Sequence, residues 1–456
     1  MKGISKLIIT LVIILLIICI STVSVFAFFY LPNTTIETDF GSVNVSLKTN
    51  ASTVKEIKKS IENYKFNVKL FDGSVVEVPS KEFIISVEDE IILNELKGID
   101  KKFSFKPIKY DIVLRDKVSY DNKRIMTFIQ EKSGTEIIDS KDAYIEYNEE
   151  NKLFEIVPET YGNVLVDDFS NKVVDFMKNN GYNIDLVTIG CYESPSIIST
   201  DNGLSKKLQS LNSFKDIKIE YILGENIETL TFDTFHNWIS ANILDDGTVD
   251  IVVSKEGVSS YVSELNKKYT TFGKSRTFTT STGEVVTLTT GDYGWWLDTE
   301  NLKNSIVSNI KSNQSSRNEV VWKQKAACLG ELDFSNSYVE VSIANQRVWM
   351  YVNGECVVDT PVVTGNTGKG MGTRKGVFSL TYKTKNAVLR GADYETPVKY
   401  WMPFDGGIGL HDATWRYKFG GNIYTYNGSH GCVNMPLNAA KTVYEHIDKT
   451  MPIIVW

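Results

Sequence analysis

Hydrophobic positions along the chain fall into three regimes. From Leu7 to Tyr30 the chain runs 24 residues without a charge, almost all of them apolar. At 1.5 Å per residue such a helix crosses a hydrocarbon layer of ~30 Å. Lys2 and Lys6 precede it and no acid does, so the positive-inside bias holds residues 1–6 in the cytoplasm and exports everything after Pro32. The pattern therefore predicts a short tail, a transmembrane helix over 7–31 and an extracytoplasmic remainder. A cleaved signal peptide competes, because Val25-Phe26-Ala27 has the small-residue look of a cleavage site. The apolar core is too long for that reading, which favours a retained single-pass anchor.

The second regime mixes periods. Thr53 to Tyr64 has the spacing of an amphipathic helix, and the alternating runs Phe66–Leu70 and Val75–Val78 flank Asp72-Gly73 as a hairpin. The wording returns later: Phe71–Val78 resembles Thr280–Leu288, and Tyr161–Asp167 resembles Tyr293–Asp298. Each member of the second pair leads into an amphipathic helix, Asp168–Lys178 and Thr299–Lys311. These echoes predict tandem α+β modules, over 33–215 and 216–330. The polar run Ser312–Asn318 reads as a linker. From Tyr338 strands dominate: Val339, Val341 and Ile343 alternate, Arg347–Val352 runs into Asn353-Gly354, and Val357–Thr364, Gly376–Tyr382 and Ile453–Trp456 continue the pattern. With one helical period, at Leu437–Asp448, residues 337–456 form a mostly β domain.

Length and charge narrow the function. A chain of 456 residues exceeds one ordinary core, and 42% apolar content is globular. Lysine and arginine number 49 against 56 acids, a net charge of -7 that repels a phosphate backbone, so nucleic acid is not an expected partner. Of five cysteines, Cys19 lies in the apolar span, leaving Cys191, Cys328, Cys356 and Cys432 outside. They are too sparse for a disulfide scaffold, although a Cys328–Cys356 pair stays open. No metal-spaced cluster stands in the modules. His236 is alone and reads as structural, and His446 falls late in the last helix, where capping or surface is its expected role. The Trp295-Trp296 pair has the composition of a sugar-stacking platform, yet burial is the commoner fate of such residues. Gly365–Gly370 lacks the first glycine and the Ser/Thr of a phosphate loop.

Ser429-His430-Gly431-Cys432-Val433-Asn434 carries the chemistry. A thiol with an ordinary pKa near ~8.5 needs a base or dipole to attack at neutral pH. His430 is adjacent and His411 lies 21 positions earlier. A glycine before the nucleophile permits a sharp turn and brings N–H groups toward an oxyanion. Thiol, imidazole and backbone donors describe a thiol acyl-transfer enzyme. Spacing alone equally describes a buried thiol beside a packing histidine.

His411, 17 intervening residues, then Ser-His-Gly-Cys with Asn434 two further on, resembles the signature of L,D-transpeptidase catalytic domains. Gln346–Tyr351, Pro361–Gly365, Tyr400–Phe404 and Ile408–Asp412 resemble further blocks of that family. Thr373-Arg374-Lys375-Gly376 departs from its usual Thr-Pro-x-Gly, which bears on loop shape. The resemblance implies a C-terminal β-sandwich with Cys432 as nucleophile, His411 as general base, His430 assisting, and the Gly431 and Cys432 N–H groups as oxyanion donors. Ser429, Asn434 and Asp412 would support these, and Tyr400, Trp401, Met402, Trp415 and Tyr424 are groove candidates, the last two on an aromatic loop that reads equally as a lid or an ordinary surface loop. It implies donor and acceptor peptidoglycan stem peptides as partners, 3→3 cross-links, no metal or organic cofactor, carbapenem-type β-lactams as covalent inhibitors, and a place in the bacterial cell wall. The modules ahead of it resemble peptidoglycan-binding modules through their Tyr-Gly…Asp-helix pattern. Two rivals share these residues: a hydrolase that trims tetrapeptide stems, and a wall-binding spacer without catalysis.

Overall fold

The computed structural model describes residues 2–30, 34–99, 106–134, 136–330, 332–391 and 395–456. The expected end of the apolar span at Leu31-Pro32 and the module start at residue 33 lie outside the described residues. An α-helix covers Lys2–Tyr30. Its Gly3–Val23 stretch has a mean hydropathy of 2.9 and none of it is buried, as a segment without a protein partner for its apolar surface must be.

The rest divides into two compact units. The first holds Met1–Glu146 and Ile156–Leu204. In it Thr34–Thr38 pairs antiparallel with Gly41–Asn44 and parallel with Ile108–Ile112. Lys65–Lys69 pairs antiparallel with Val75–Pro79 around the Asp72-Gly73 turn and parallel with Asn183–Asp185. The helix read from Thr53 begins earlier, at Asn50, because Thr49 caps it by accepting the Ser52 N–H. It buries Val54, Ile57 and Ile61 in a core shared with Phe66, Val68 and the helix Phe169–Asn180.

The second unit holds Tyr147–Glu155 and Ser205–Trp456. Its first sheet repeats the plan of the first unit: Lys218–Leu223 pairs antiparallel with Asn226–Thr231 and parallel with Ser316–Glu319. The hairpin Arg276–Thr279 with Val285–Leu288 repeats the earlier one around Asp72-Gly73. The linker read at Ser312–Asn318 is corrected here. Its second half is this edge strand, placed by main-chain hydrogen bonds, which a run of Ser, Arg, Asn and Glu does not advertise. No loose connection follows either. Phe278, Leu288, Tyr293 and Trp295 share one core with Phe334, Trp349, Val377, Ile454 and Trp456. The Arg276 guanidinium grips Asp333 through two 2.7 Å hydrogen bonds with both side chains buried. Trp295 is thus core, and Trp296 stays partly exposed, stacked on Phe272 at 4.5 Å. His236 stacks on Tyr147 at 3.7 Å, a packing role. All five cysteines are unpaired, so Cys328 and Cys356 form no bridge.

The last 120 residues make two sheets over one core. The strands are β1 (Tyr338–Ser342), β2 (Arg347–Val352), β3 (Glu355–Pro361), β4 (Gly376–Ser379), β5 (Thr384–Arg390), β6 (Glu395–Asp405), β7 (Ile408–Asp412), β8 (Val433–Met435) and β9 (Pro452–Val455). One sheet runs β3-β2-β1-β9-β4 and the other β5-β6-β7-β8. The β2–β3 turn is Asn353-Gly354, both residues at positive φ (51° and 86°), the geometry an Asn-Gly pair adopts at least cost. Val339, Val341, Val348 and Met350 face Met402, Phe404, Leu410, Val433 and Met435 across the core, closed by Ala440 and Val443 of helix α2 (Leu437–His446). His446 is exposed at the end of that helix. A second, short helix, α1 (Ile423–Asn427), interrupts the aromatic loop.

Candidate active site

The parallel pairing of β7 and β8 assembles the site. Leu410 lies opposite Val433 and His411 opposite Asn434, so the ends of two strands distant in sequence converge on one cavity. That cavity, of about 200 Å³, is lined by His411, Trp415, Arg416, Ser429, His430, Cys432 and Asn434, with Leu389 and Thr396 at its side. His411 and Cys432 therefore share one pocket.

His411 is buried and its Nδ1 lies 2.8 Å from the Asp412 backbone carbonyl. A carbonyl only accepts, so Nδ1 carries the proton and Nε2 keeps the lone pair of a base. Burial lowers the pKa of His411, opposed by its contact with Asp412, and the Arg416 charge lowers it further. Cys432 is also buried, and burial pushes its thiol up to about 11 despite a hydrogen bond from the Gly409 N–H to the sulfur. Both shifts favour the uncharged forms, a neutral thiol beside a neutral imidazole. Trp401 packs on Cys432 together with Val398, and Trp401 and Trp415 flank the His411 ring at 5.8 and 5.9 Å.

The turn carrying Cys432 is fixed from three sides. Ser429 Oγ accepts the Gly431 N–H at 3.1 Å and donates to the Cys432 carbonyl at 2.5 Å. Gly431 has φ 122°, a backbone conformation that requires glycine, and a Cβ there would press on the Ile408 side chain at 2.8 Å. Thr373 Oγ1 donates to the Gly431 carbonyl at 2.7 Å and accepts the Gly365 N–H at 2.9 Å. Strand β8, which follows the turn, is tied on through Val363, which exchanges hydrogen bonds of 2.9 and 3.0 Å with Asn434.

Several expected positions fall elsewhere. The Gly431 N–H is already engaged by Ser429 Oγ, so it is not an open oxyanion donor in this state. Tyr400, Trp401 and Met402 are not among the residues that line the cavity. Trp401 is buried behind Cys432, and alternation along β6 turns the other two away from it: Met402 sits in the central core and Tyr400 packs on Tyr444. Tyr424 is half-buried on α1, outside the lining residues. Asp412 Oδ1 accepts the Lys399 and Tyr400 N–H groups, both at 2.8 Å, which locks β6 to β7, while the Asp412 backbone carbonyl holds His411 Nδ1. His430 lies on the exposed side of the cavity. Sequence reasoning missed Arg416, whose Nε has no partner, together with Gly409 and the anchoring role of Thr373, whose contacts to the Cys432 turn span long stretches of chain and leave no local pattern.

A buried thiol and an imidazole line one pocket of a two-sheet domain, the pair of groups that thiol-dependent acyl transfer requires. Residues 336–455 match the YkuD family, described as L,D-transpeptidase catalytic domain. Residues 216–319 match a family described as "Putative peptidoglycan binding domain". The catalytic domain of an E. faecium L,D-transpeptidase, solved by NMR as its ertapenem-acylated form, is 36% identical over 26% of this chain and 96% of its own, with a TM-score of 0.25. A crystal structure of a cysteine-to-serine variant of the Enterococcus faecium L,D-transpeptidase is 28% identical over 55% of this chain and 99% of its own, with a TM-score of 0.43. A comparison with curated proteins gave no match. Residues 336–455 form an L,D-transpeptidase catalytic domain, and the chain is an enzyme of peptidoglycan cross-linking.

Proposed function

We propose that this chain is a membrane-anchored transpeptidase that forms 3→3 cross-links through a thioester on Cys432. The observation that carries the reading is the shared cavity of Cys432 and His411, with the His411 proton held on Nδ1 by the Asp412 carbonyl. In the first half-reaction Sγ attacks the carbonyl of the third residue of a tetrapeptide stem while Nε2 takes the thiol proton. The S–C bond forms, the C–N bond to the terminal D-Ala breaks, and His411 returns the proton to the leaving amine. In the second, the side-chain amine of a neighbouring stem attacks the thioester, giving an amide and restoring the thiol. The thioester conserves the energy of the cleaved peptide bond, which is needed where no nucleotide triphosphate is at hand. Burial of the pair also excludes water, and this favours the amine as acceptor over hydrolysis.

The N-terminal apolar helix is the anchor in this reading, and the module matched at 216–319 engages or traverses the wall. A strained β-lactam carbonyl offers the same thiol an equivalent acyl target, so carbapenems acylate Cys432. Incubating the full-length chain in detergent micelles with purified disaccharide-tetrapeptide should yield dimers of 3→3 mass and fragmentation, and Cys432→Ala should yield none. Tripeptide without dimer would replace cross-linking by hydrolysis, and dimer from the alanine variant would refute the mechanism.

A further inference from the structure

Arg416 stands at the turn after β7, its N–H bonded to the Ala413 carbonyl at 3.0 Å, and its side chain lines the cavity of Cys432 and His411. Its Nε is enclosed and has no hydrogen-bond partner. Among the described residues no carboxylate pairs with its guanidinium, whereas Arg115, Arg276, Arg347 and Arg374 each face one, Asp39, Asp333, Asp359 and Asp405. An enclosed, unpaired Nε–H on a charged group is costly, and such a cost is retained where a ligand supplies the missing partner. A second orphan lines the same cavity: Asn434 Oδ1, buried and unpartnered, is an acceptor. One unmet donor of positive charge and one unmet acceptor match the two groups of a C-terminal amino-acid residue, a carboxylate and an amide N–H. The planar fork of arginine suits a carboxylate in particular.

We propose that Arg416 binds the free C-terminal carboxylate of the residue that Cys432 expels from the donor stem. This rests on the transpeptidase reading and adds to it a basis for choosing a donor that ends one residue beyond the scissile carbonyl. Loss of a charge-assisted contact of this kind is worth about 10- to 100-fold in rate.

The test compares three disaccharide-tetrapeptide donors: one with a free C-terminal carboxylate, one with a C-terminal carboxamide, and one whose internal carboxylates are amidated and whose terminus is free. Release of the terminal residue gives kcat/KM for the full-length wild type, Arg416→Gln and Arg416→Lys. The wild type should prefer both free-terminus donors over the carboxamide by about 10- to 100-fold, Arg416→Gln should lose that preference by falling on the free-terminus donors alone, and Arg416→Lys should keep its direction. Circular dichroism and the urea unfolding midpoint report that each variant is folded. Absence of a preference in the wild type, its persistence in Arg416→Gln, or a loss that follows the internal carboxylates overturns the assignment while leaving the transpeptidase intact. A wild type inactive on all three donors overturns both.

Discussion

Replacing Thr373 by valine tests how the nucleophile is held. The side chain is buried, and its hydroxyl is at once a donor to the Gly431 carbonyl at 2.7 Å and an acceptor of the Gly365 N–H at 2.9 Å. Valine preserves the volume and removes both bonds, stranding one buried carbonyl and one buried N–H. Each stranded group costs about 1–3 kcal/mol, so the substitution should destabilise the domain by about 2–5 kcal/mol. Serine keeps the hydroxyl and should lose far less. The kinetic effect should be the larger one, because the carbonyl released belongs to the residue before Cys432, and a nucleophile displaced by about 1 Å loses about 100-fold. Urea unfolding gives the stability, and the rate of Cys432 acylation by a carbapenem gives the positioning, both with Thr373→Ser as control. Wild-type stability and acylation rate in Thr373→Val would show that the loop is held by other contacts and would refute this account of the turn.

Two further outcomes follow from buried charge. Folding raises the Cys432 thiol from an ordinary 9.0 to about 11, so the folded chain keeps a proton that the unfolded chain loses. The resulting stability is present below pH ~9 and declines as pH rises from ~9 to ~11, by up to about 2–3 kcal/mol. The difference in unfolding free energy between wild type and Cys432→Ala should therefore shrink over that window, and a pH-independent difference would contradict the burial argument. At the junction of module and catalytic domain, Asp333→Ala leaves the buried Arg276 guanidinium without its partner and should cost about 3–5 kcal/mol in thermal or urea unfolding. The pair Arg276→Met with Asp333→Leu should recover most of it; failure of Asp333→Ala to destabilise would show that the ion pair does not secure the junction.

Much of the fold was legible because it is written in local patterns. Alternation gave β1 and β2, Asn353-Gly354 gave the β2–β3 turn, and the repeated hairpins around Asp72-Gly73 and Ser281–Glu284 follow glycine-centred turns at matching places. What escaped was set by contacts between distant segments. Ser316–Glu319 is polar on both faces and is a strand only because Lys218–Leu223 offers it a free edge. Tyr400 and Met402 look like groove residues beside Trp401, but the pleat sends them to the other face. The Thr373-Arg374 departure, which left the loop shape open, is accommodated by an ion pair of Arg374 with Asp405 while Thr373 anchors the nucleophile turn. Arg416 carries no motif at all; only its missing partner, visible in three dimensions, singles it out.

The mass of the acyl-enzyme tests the central claim most directly. Full-length protein quenched in acid during turnover of a tetrapeptide donor without acceptor should carry the stem less its terminal residue, and peptide mapping should place that adduct on Cys432 as a hydroxylamine-labile thioester. The same donor should leave His411→Ala almost unmodified. An adduct on any other residue, or cross-linked product accumulating while Cys432 stays unmodified and dispensable, would contradict the account.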